Sequence, residues 1–170
     1  MSTTLTCTST RPPDCSTLRV VIADGLTLSR ITLRTLLARN GGCAIVGETF
    51  DGGGAVKLVR EQRPHVLVQD LAMPRVHDAL RQLKDSDTGV RPIVVAAAIR
   101  SQAVLSALTL GARGVLRKNV RPSVLSECVR TVAQGGYWIG ERRVEDVVDA
   151  FDRVRGETAP PSRDAPRCQP

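Results

Sequence analysis

The stretch His65-Val-Leu-Val-Gln-Asp70-Leu-Ala-Met-Pro74 decides the fold of this 170-residue chain, because an apolar run ends there on a single carboxylate. Pro64 and Pro74 bound the run on either side, which is typical of an extended segment between two breaks. In α/β proteins, the carboxyl ends of parallel strands face the crevice that holds the functional groups. If the run is such a strand, Asp70 lies at the functional edge of the sheet.

The rest of the chain supports this interpretation, because short β-branched runs alternate with helix-length amphipathic segments from about Leu18 to Gly136. This alternation is the pattern of repeated βαβ units with helices on both faces of a parallel sheet. The pattern predicts an α/β fold with five strands, at 19–24, 43–47, 65–70, 92–98 and 113–117. It predicts helices at 27–39, 52–62 and 76–84, one capped by Ser101, and one that starts at Pro122.

Composition excludes several classes of protein. Apolar residues make up 42% of the chain, so an ordinary packed core is possible without disulfide bonds. No apolar run reaches membrane-spanning length, and the Ser/Thr-rich start lacks the apolar core of a signal peptide. We therefore expect a cytoplasmic protein with no membrane contact. The cysteines form no CxxC pair, so neither a zinc site nor a redox motif is predicted; they are Cys7, Cys15, Cys43, Cys128 and Cys168.

The net charge of +7 lies in the predicted folded part, where residues 19–140 carry 17 Lys/Arg and 9 Asp/Glu. Such a balance suits nucleic acid or an acidic protein surface. However, the chain has only one Trp, one Tyr and two Phe, so platforms for base stacking are not expected. A solvated basic surface is the interpretation that the sequence favours.

Charged residues from separate stretches converge on the predicted functional edge. Asp24 ends the first strand, Asp70 ends the third, and Lys118 follows the fifth. Singly, each is typical of a solvated turn or a helix cap. Together, two facing carboxylates and an ammonium group could hold Mg²⁺, or could present a carboxylate that attacks a phosphoryl group.

Residues from about Leu18 to Gly136 resemble a two-component response-regulator receiver (CheY-like) domain, most closely the NarL/FixJ (LuxR-type) subfamily. The resemblance implies a flavodoxin-like (βα)5 doubly wound fold. It also implies that Asp70 is the phosphoacceptor, that Asp24 and Asp70 bind Mg²⁺, and that Lys118 contacts the phosphoryl group. The motifs that carry it are Val21-Ile-Ala-Asp24, Val46-Gly-Glu48, Val68-Gln-Asp70-Leu-Ala-Met-Pro74 and Gly111-Ala-Arg-Gly-Val-Leu-Arg-Lys118.

Three positions depart from the receiver pattern. Gly25 replaces the second acid that usually follows the first strand, so Mg²⁺ loses a principal ligand. Ala96 replaces the switch hydroxyl, whose hydrogen bond to a charged group is worth about 1.5–3 kcal/mol, and Val115 replaces a common aromatic. Either Asp70 is a weak phosphoacceptor with weakly held Mg²⁺, or the domain is a pseudo-receiver that serves as an interaction and dimerisation module. The losses at Gly25 and Ala96 favour the pseudo-receiver.

The predicted organisation is a disordered tail (1–17), a receiver domain (18–138), an amphipathic helix (141–155) and a disordered linker or tail (156–170). In the helix, Val144, Val147, Phe151 and Val154 form a short apolar seam that could pack on the body or pair with a second copy.

Because the chain closes on a linker, we expect a helix-turn-helix output domain beyond these residues, through which DNA would be bound. The expected partners are a sensor histidine kinase or another regulator protein, and a second copy in a homodimer. The alternative is a stand-alone adaptor without DNA-binding output. An enzyme with its own substrate is not predicted, because Gly52-Gly53-Gly54 precedes no Lys-Ser/Thr and no nucleophile arrangement is present.

Overall fold

The computed structural model describes residues 17–39 and 42–144, in which strands and helices alternate as the sequence predicts. The predicted disordered segments and most of the predicted C-terminal helix lie outside these residues. The elements are β1 (Leu18–Ala23), α1 (Thr27–Arg39), β2 (Cys43–Thr49), α2 (Gly52–Gln62), β3 (Val66–Asp70), α3 (Val76–Lys84), β4 (Arg91–Ala96), α4 (Ser101–Thr109), β5 (Gly114–Arg117), α5 (Pro122–Ala133), β6 (Trp138–Ile139) and β7 (Arg142–Arg143).

The strands form one sheet in the order β2-β1-β3-β4-β5-β6-β7. The first six are parallel and β7 is antiparallel to β6. The doubly wound flavodoxin-like fold is therefore confirmed. The strand count is larger than the predicted five, because the chain after α5 adds a short hairpin to the edge of β5. Gly140, with φ of 67°, provides the left-handed turn of this hairpin.

The hairpin also corrects the predicted start of the C-terminal helix. We expected that helix to begin at Glu141, but Arg142–Arg143 is a strand that pairs with Trp138–Ile139. Two-residue strands are too short to show alternating hydrophobicity, so their sequence gave no sign of them.

The end of β4 differs from the prediction as well. The apolar run suggested a strand to Ala98, but pairing stops at Ala96, opposite the last residue of β5 at Arg117. Ala97 and Ala98 are exposed. Ser101 is not the cap of α4: Arg100 occupies the N-cap position without a side-chain hydrogen bond, and Ser101 is the first helical residue.

Two apolar layers enclose the sheet. One packs α1 and α5 against it, through residues such as Leu37 and Leu125. The other packs α2, α3 and α4 against the opposite face, through residues such as Val59 and Leu80. Since all five residues of β3 are buried, Asp70 ends the best-covered strand. No described helix is both long and apolar enough to cross a membrane.

The loop after Asp70 is held against the start of α2. The backbone N–H of Gly52 donates to the carbonyl oxygen of Pro74 at 3.2 Å. A Cβ atom at Gly52 would collide with the carbonyl oxygen of Arg75, so only glycine permits this approach. Arg75 has a φ of 61°, a left-handed conformation that glycine adopts more readily. The Met-Pro turn is thus fixed by contacts with its neighbour.

Candidate functional site

A charge cluster, which we define as Asp24, Asp70 and Lys118, lies at the carboxyl edge of the sheet. The Nζ atom of Lys118 lies 2.8 Å from Oδ2 of Asp24 and 2.8 Å from Oδ2 of Asp70. Asp24 is 0% exposed and Asp70 is 4% exposed. The structure therefore brings together the three charged residues that the sequence placed at strand ends.

Both carboxylate oxygens and the backbone carbonyl oxygen of Asp24 accept hydrogen bonds. Its Oδ1 accepts a hydrogen bond from the backbone N–H of Leu26 at 2.8 Å. Its Oδ2 accepts one from the Ser29 hydroxyl at 2.6 Å, in addition to the one from Lys118. The Arg30 guanidinium donates to the backbone carbonyl of Asp24 at 2.7 Å. No sequence motif points to Ser29, although its place in the first turn of α1 lets its hydroxyl reach back to the end of β1.

Asp70 has fewer contacts. Its Oδ1 accepts a hydrogen bond from the backbone N–H of Ala72 at 3.1 Å, and its Oδ2 faces Lys118. The next residue, Leu71, donates its backbone N–H to the carbonyl oxygen of Val95 at 2.8 Å. The carboxylate is therefore anchored through one oxygen and paired with a cation through the other.

The surroundings of Asp24 and Lys118 favour the charged forms of these two side chains. Burial by itself would raise the pKa of Asp24, but hydrogen bonds from Lys118, Ser29 and the Leu26 N–H outweigh it and lower that pKa. Burial would lower the pKa of Lys118, but the two carboxylates outweigh it and raise that pKa. Asp24 and Lys118 are consequently held in their charged forms at neutral pH.

The three positions that depart from the receiver pattern lie where the sequence placed them. Gly25 follows Asp24 on an exposed loop, and a Cβ atom there would meet nothing nearer than the Phe50 carbonyl oxygen at 3.8 Å. Ala96 is the last residue of β4, and its carbonyl oxygen accepts from the Lys118 N–H at 2.9 Å. Val115 is buried on β5. There is room for an acid at position 25, so its absence is not forced by packing.

Exposed apolar side chains surround the charge cluster. Leu26 is 64% exposed and Leu28 is 76% exposed at the start of α1, and Phe50 is 65% exposed after β2. A groove of about 510 Å³ runs beside the cluster, and its lining includes Leu26, Leu28 and Lys118. Exposed apolar groups around a polar centre are typical of a surface that contacts another protein.

Comparison with known proteins agrees with this geometry. The family described as "Response regulator receiver domain" matches residues 20–130. The chain belongs to the response regulator receiver family. The receiver domain is that of a two-component response regulator of the NarL/LuxR type. Its relatives include the transcriptional regulatory protein DegU of Brevibacillus brevis, which is 30% identical over 142 residues, 82% of this chain and 60% of DegU.

Similar solved structures include the signal receiver domain of the response regulator NarL from Mycobacterium tuberculosis. That receiver shares 28% identity and a TM-score of 0.67, over 69% of this chain and 97% of the other. The chemotaxis protein CheY of Thermotoga maritima is 27% identical over 118 residues, 68% of this chain and 98% of CheY. The receiver fold of this chain is therefore shared with long and short relatives.

The chain spans about 60% of the length of DegU. A further relative, protein-glutamate methylesterase/protein-glutamine glutaminase 5 of Myxococcus xanthus, is 32% identical over 148 residues, 85% of this chain and 41% of the relative. Related receivers thus occur both in a transcriptional regulatory protein and in a methylesterase/glutaminase. The presence of a receiver therefore does not indicate which activity the rest of a protein has.

Receiver domains generally bind Mg²⁺ at the phosphorylation site, and Asp24 and Asp70 are the residues that would hold the ion in this chain. Each of the four carboxylate oxygens of Asp24 and Asp70 already accepts a hydrogen bond or ion pair from Lys118 or a local donor. Within residues 17–39 and 42–144, no group of three or more His, Cys, Asp or Glu residues could hold a metal. Mg²⁺ usually takes one or two carboxylates and completes its octahedral shell with water and phosphate oxygens. Asp24 and Asp70 are therefore suitable ligands, but the Lys118 ammonium group competes with the ion for their Oδ2 atoms.

Proposed function

We propose that this chain is the receiver part of a helix-turn-helix transcriptional regulator, and that this receiver undergoes weak or no phosphorylation at Asp70. The regulatory role is supported by DegU, a transcriptional regulatory protein that continues well beyond the region shared with this chain. The output domain, which would contact DNA, would follow Pro170.

The proposal of weak phosphorylation is supported by the losses at Gly25 and Ala96 and by the position of Lys118 between the two carboxylates. In phosphotransfer, an oxygen of Asp70 would attack the phosphorus of a kinase phosphohistidine, and the imidazole nitrogen would leave. Lys118 would then contact the new phosphoryl group. Here the Oδ2 atom is already paired with the ammonium group, and no acid at position 25 helps a cation to replace it.

A phosphoryl group on Asp70 would also produce little response. Ala96 has no hydroxyl that could donate to a phosphoryl oxygen, and Val115 is a small side chain in a buried position. A hydrogen bond to a charged group contributes about 1.5–3 kcal/mol. Its loss lowers the coupling between phosphorylation and conformation by roughly ten- to a hundredfold.

In this proposal the domain works mainly through protein contacts. The exposed Leu26, Leu28 and Phe50 surround the charge cluster and provide apolar area for a partner. A sensor histidine kinase, another regulator protein and a second copy of the chain are the proposed partners. The protein acts in the cytoplasm and has no substrate of its own.

The alternative is a stand-alone pseudo-receiver that acts as an adaptor without DNA-binding output. It is supported by CheY, which this chain matches over nearly its whole length. The codons that follow Pro170 in the parent gene discriminate between the two. A reading frame that continues into a helix-turn-helix segment supports the regulator, and a stop codon supports the adaptor.

Incubation with acetyl phosphate and Mg²⁺, followed by intact mass measurement, tests the weak phosphorylation. We expect little phosphoryl adduct on the wild-type chain, more on Gly25→Asp/Ala96→Ser, and none when Asp70→Asn is added to that variant. A wild-type adduct as abundant as that of the double variant, and lost in Asp70→Asn, would contradict the proposal.

A further inference from the structure

Four arginines occupy the opposite, amino edge of the sheet, and we call them the amino-edge arginines: Arg19, Arg63, Arg91 and Arg113. Arg19 is the second residue of β1 and Arg91 is the first residue of β4. Arg113 directly precedes β5, and Arg63, the C-cap of α2, is separated from β3 by Pro64 and His65. Four adjacent strands therefore each have one arginine at or near their amino end.

Backbone hydrogen bonds hold these strand starts side by side. The N–H of His65 donates to the carbonyl oxygen of Arg19 at 2.9 Å, and the N–H of Arg91 donates to that of His65 at 3.1 Å. The N–H of Arg113 donates to the carbonyl oxygen of Pro92 at 2.7 Å. With strands about 4.8 Å apart, the row from β1 to β5 is about 14 Å long.

Three of these arginines donate hydrogen bonds to backbone carbonyl oxygens, and these bonds do not neutralise the guanidinium charge. Arg19 donates to the Gln62 carbonyl oxygen at 2.6 Å, Arg63 to that of Asp87 at 3.2 Å, and Arg113 to that of Gly135 at 3.4 Å. Each such bond occupies one of five guanidinium donors. Within the part of the chain that the structure describes, none of the four forms an ion pair with a carboxylate.

Basic residues at helix ends have a separate explanation. Arg39, Arg60 and Lys84 lie in the last turns of their helices, where cations are stabilised by the helix dipole. Arg63 is the C-cap of α2, so the same reason applies to it. A strand has almost no net dipole, so the reason does not apply to Arg19, Arg91 and Arg113. Three of the four amino-edge arginines are thus a row of positive charge that the helix dipoles do not account for.

We propose that the amino-edge arginines bind the phosphate backbone of double-stranded nucleic acid, without reading its sequence. A duplex carries one phosphate charge per about 1.7 Å of helix axis on its two strands together, so a row of about 14 Å meets enough phosphates for each arginine to contact one. The receiver domain would add this contact to whatever its output domain supplies. This proposal is independent of the phosphorylation state of Asp70.

Other anionic partners fit the row less well. A surface that binds another protein or a membrane usually does so through exposed apolar side chains. The large exposed apolar residues beside the charge cluster, Leu26, Leu28 and Phe50, lie at the other edge of the sheet. At the amino edge, Tyr137 is 39% exposed, but its ring lies under Arg113 at 4.6 Å. A regularly charged surface with little apolar area matches a polyphosphate backbone.

Fluorescence anisotropy with a short labelled duplex of arbitrary sequence tests the proposal on the 170-residue chain. If four phosphates are neutralised, the logarithm of affinity should fall against the logarithm of salt concentration with a slope of about −3.6. Affinity would then fall roughly 150-fold between about 50 and 200 mM salt. Arg19→Gln/Arg91→Gln should reduce the magnitude of the slope by about 2, and Arg19→Lys/Arg91→Lys should preserve it.

The matched control is Arg100→Gln/Arg121→Gln, which removes two exposed arginines from the carboxyl edge. We expect its salt slope to equal that of the wild-type chain, and circular dichroism should show all variants folded. Three results would overturn the proposal: no duplex binding by the wild-type chain at low salt, equal losses in the control, or arginine-dependent binding to anionic lipid vesicles without duplex binding.

Discussion

The charge cluster and the neighbouring Gln69 differ in whether their buried polar atoms have hydrogen-bond partners. In the charge cluster, every carboxylate oxygen of Asp24 and Asp70 has a donor. One residue before Asp70, Gln69 is 0% exposed, and neither its Oε1 nor its Nε2 has a hydrogen-bond partner among the described residues. Of two adjacent residues on β3, Asp70 therefore has partners for both carboxylate oxygens, whereas the amide of Gln69 is buried among apolar side chains without a partner.

Gln69 belongs to what we call the cross-strand row: Ala23, Gln69, Val94 and Val115, which are in register on β1, β3, β4 and β5. Ala96 lies two residues beyond Val94, so it is on the same face. The row includes Val115, where receivers commonly have an aromatic residue, and Ala96, at the position of the lost switch hydroxyl, lies beside the row. Among the described residues, the charged groups of the cluster are thus all paired, whereas the Gln69 amide beside them is not.

The largest predicted effect comes from breaking the charge cluster with Lys118→Met. This change leaves two buried carboxylates facing each other without a cation, so the free energy of unfolding at pH 7 should fall by about 3–5 kcal/mol. Urea denaturation measures it. A loss below about 1 kcal/mol would show that the pairing seen in the structure contributes little.

A second variant guards against a protein that simply fails to fold. Lys118→Met/Asp70→Asn removes one carboxylate charge as well as the ammonium, so part of the lost stability should return. If the double variant is less stable than Lys118→Met alone, repulsion between Asp24 and Asp70 is not the cause of the loss.

The next effect has the opposite sign and concerns the cross-strand row. Gln69→Leu replaces an unpaired buried amide by an apolar group of similar size, so the free energy of unfolding should rise by about 1–3 kcal/mol. Gln82→Leu, at an exposed position of α3, is the control and should change stability by less than about 0.5 kcal/mol. Destabilisation by Gln69→Leu would indicate that the amide has a partner in solution.

The smallest effect is gradual and depends on pH. The pKa of Asp24 is lower in the folded chain than in the unfolded chain. Its contribution to stability is therefore full well above the ordinary aspartate pKa of about 3.9 and is lost as pH falls through the folded value. Denaturation between about pH 6 and pH 3 should show this loss for the wild-type chain and a shallower dependence for Asp24→Asn. Equal slopes would remove Asp24 as its source.

The charge cluster could be predicted because parallel strands end at one edge, so Asp24, Asp70 and Lys118 had to meet there. Ser29 could not be predicted, since its hydroxyl reaches Asp24 from a helix whose exact orientation the sequence does not specify. The state of Gln69 was equally inaccessible, because a glutamine in an apolar run gives no sign of whether its amide finds a partner. The hairpin of β6 and β7 could not be predicted, because two-residue strands are too short to show alternating hydrophobicity.

The helix boundaries followed closely from glycine, proline and apolar spacing, and α1, α2 and α3 have the predicted bounds. The end of β4 did not, because strand length depends on how far the neighbouring strand extends. Local patterns therefore located the elements, whereas pairing and side-chain contacts determined their ends and the chemistry between them.

The most direct test of the central claim, that Lys118 closes the acid pair to a divalent cation, is a Mg²⁺ titration followed by amide NMR. We predict that the amides of Asp24, Asp70 and Lys118 in the wild-type chain show no saturable shift at millimolar Mg²⁺. The same amides should shift and saturate in Gly25→Asp, for which the structure has room. Saturable shifts of these amides in the wild-type chain, as strong as those in Gly25→Asp, would contradict the account.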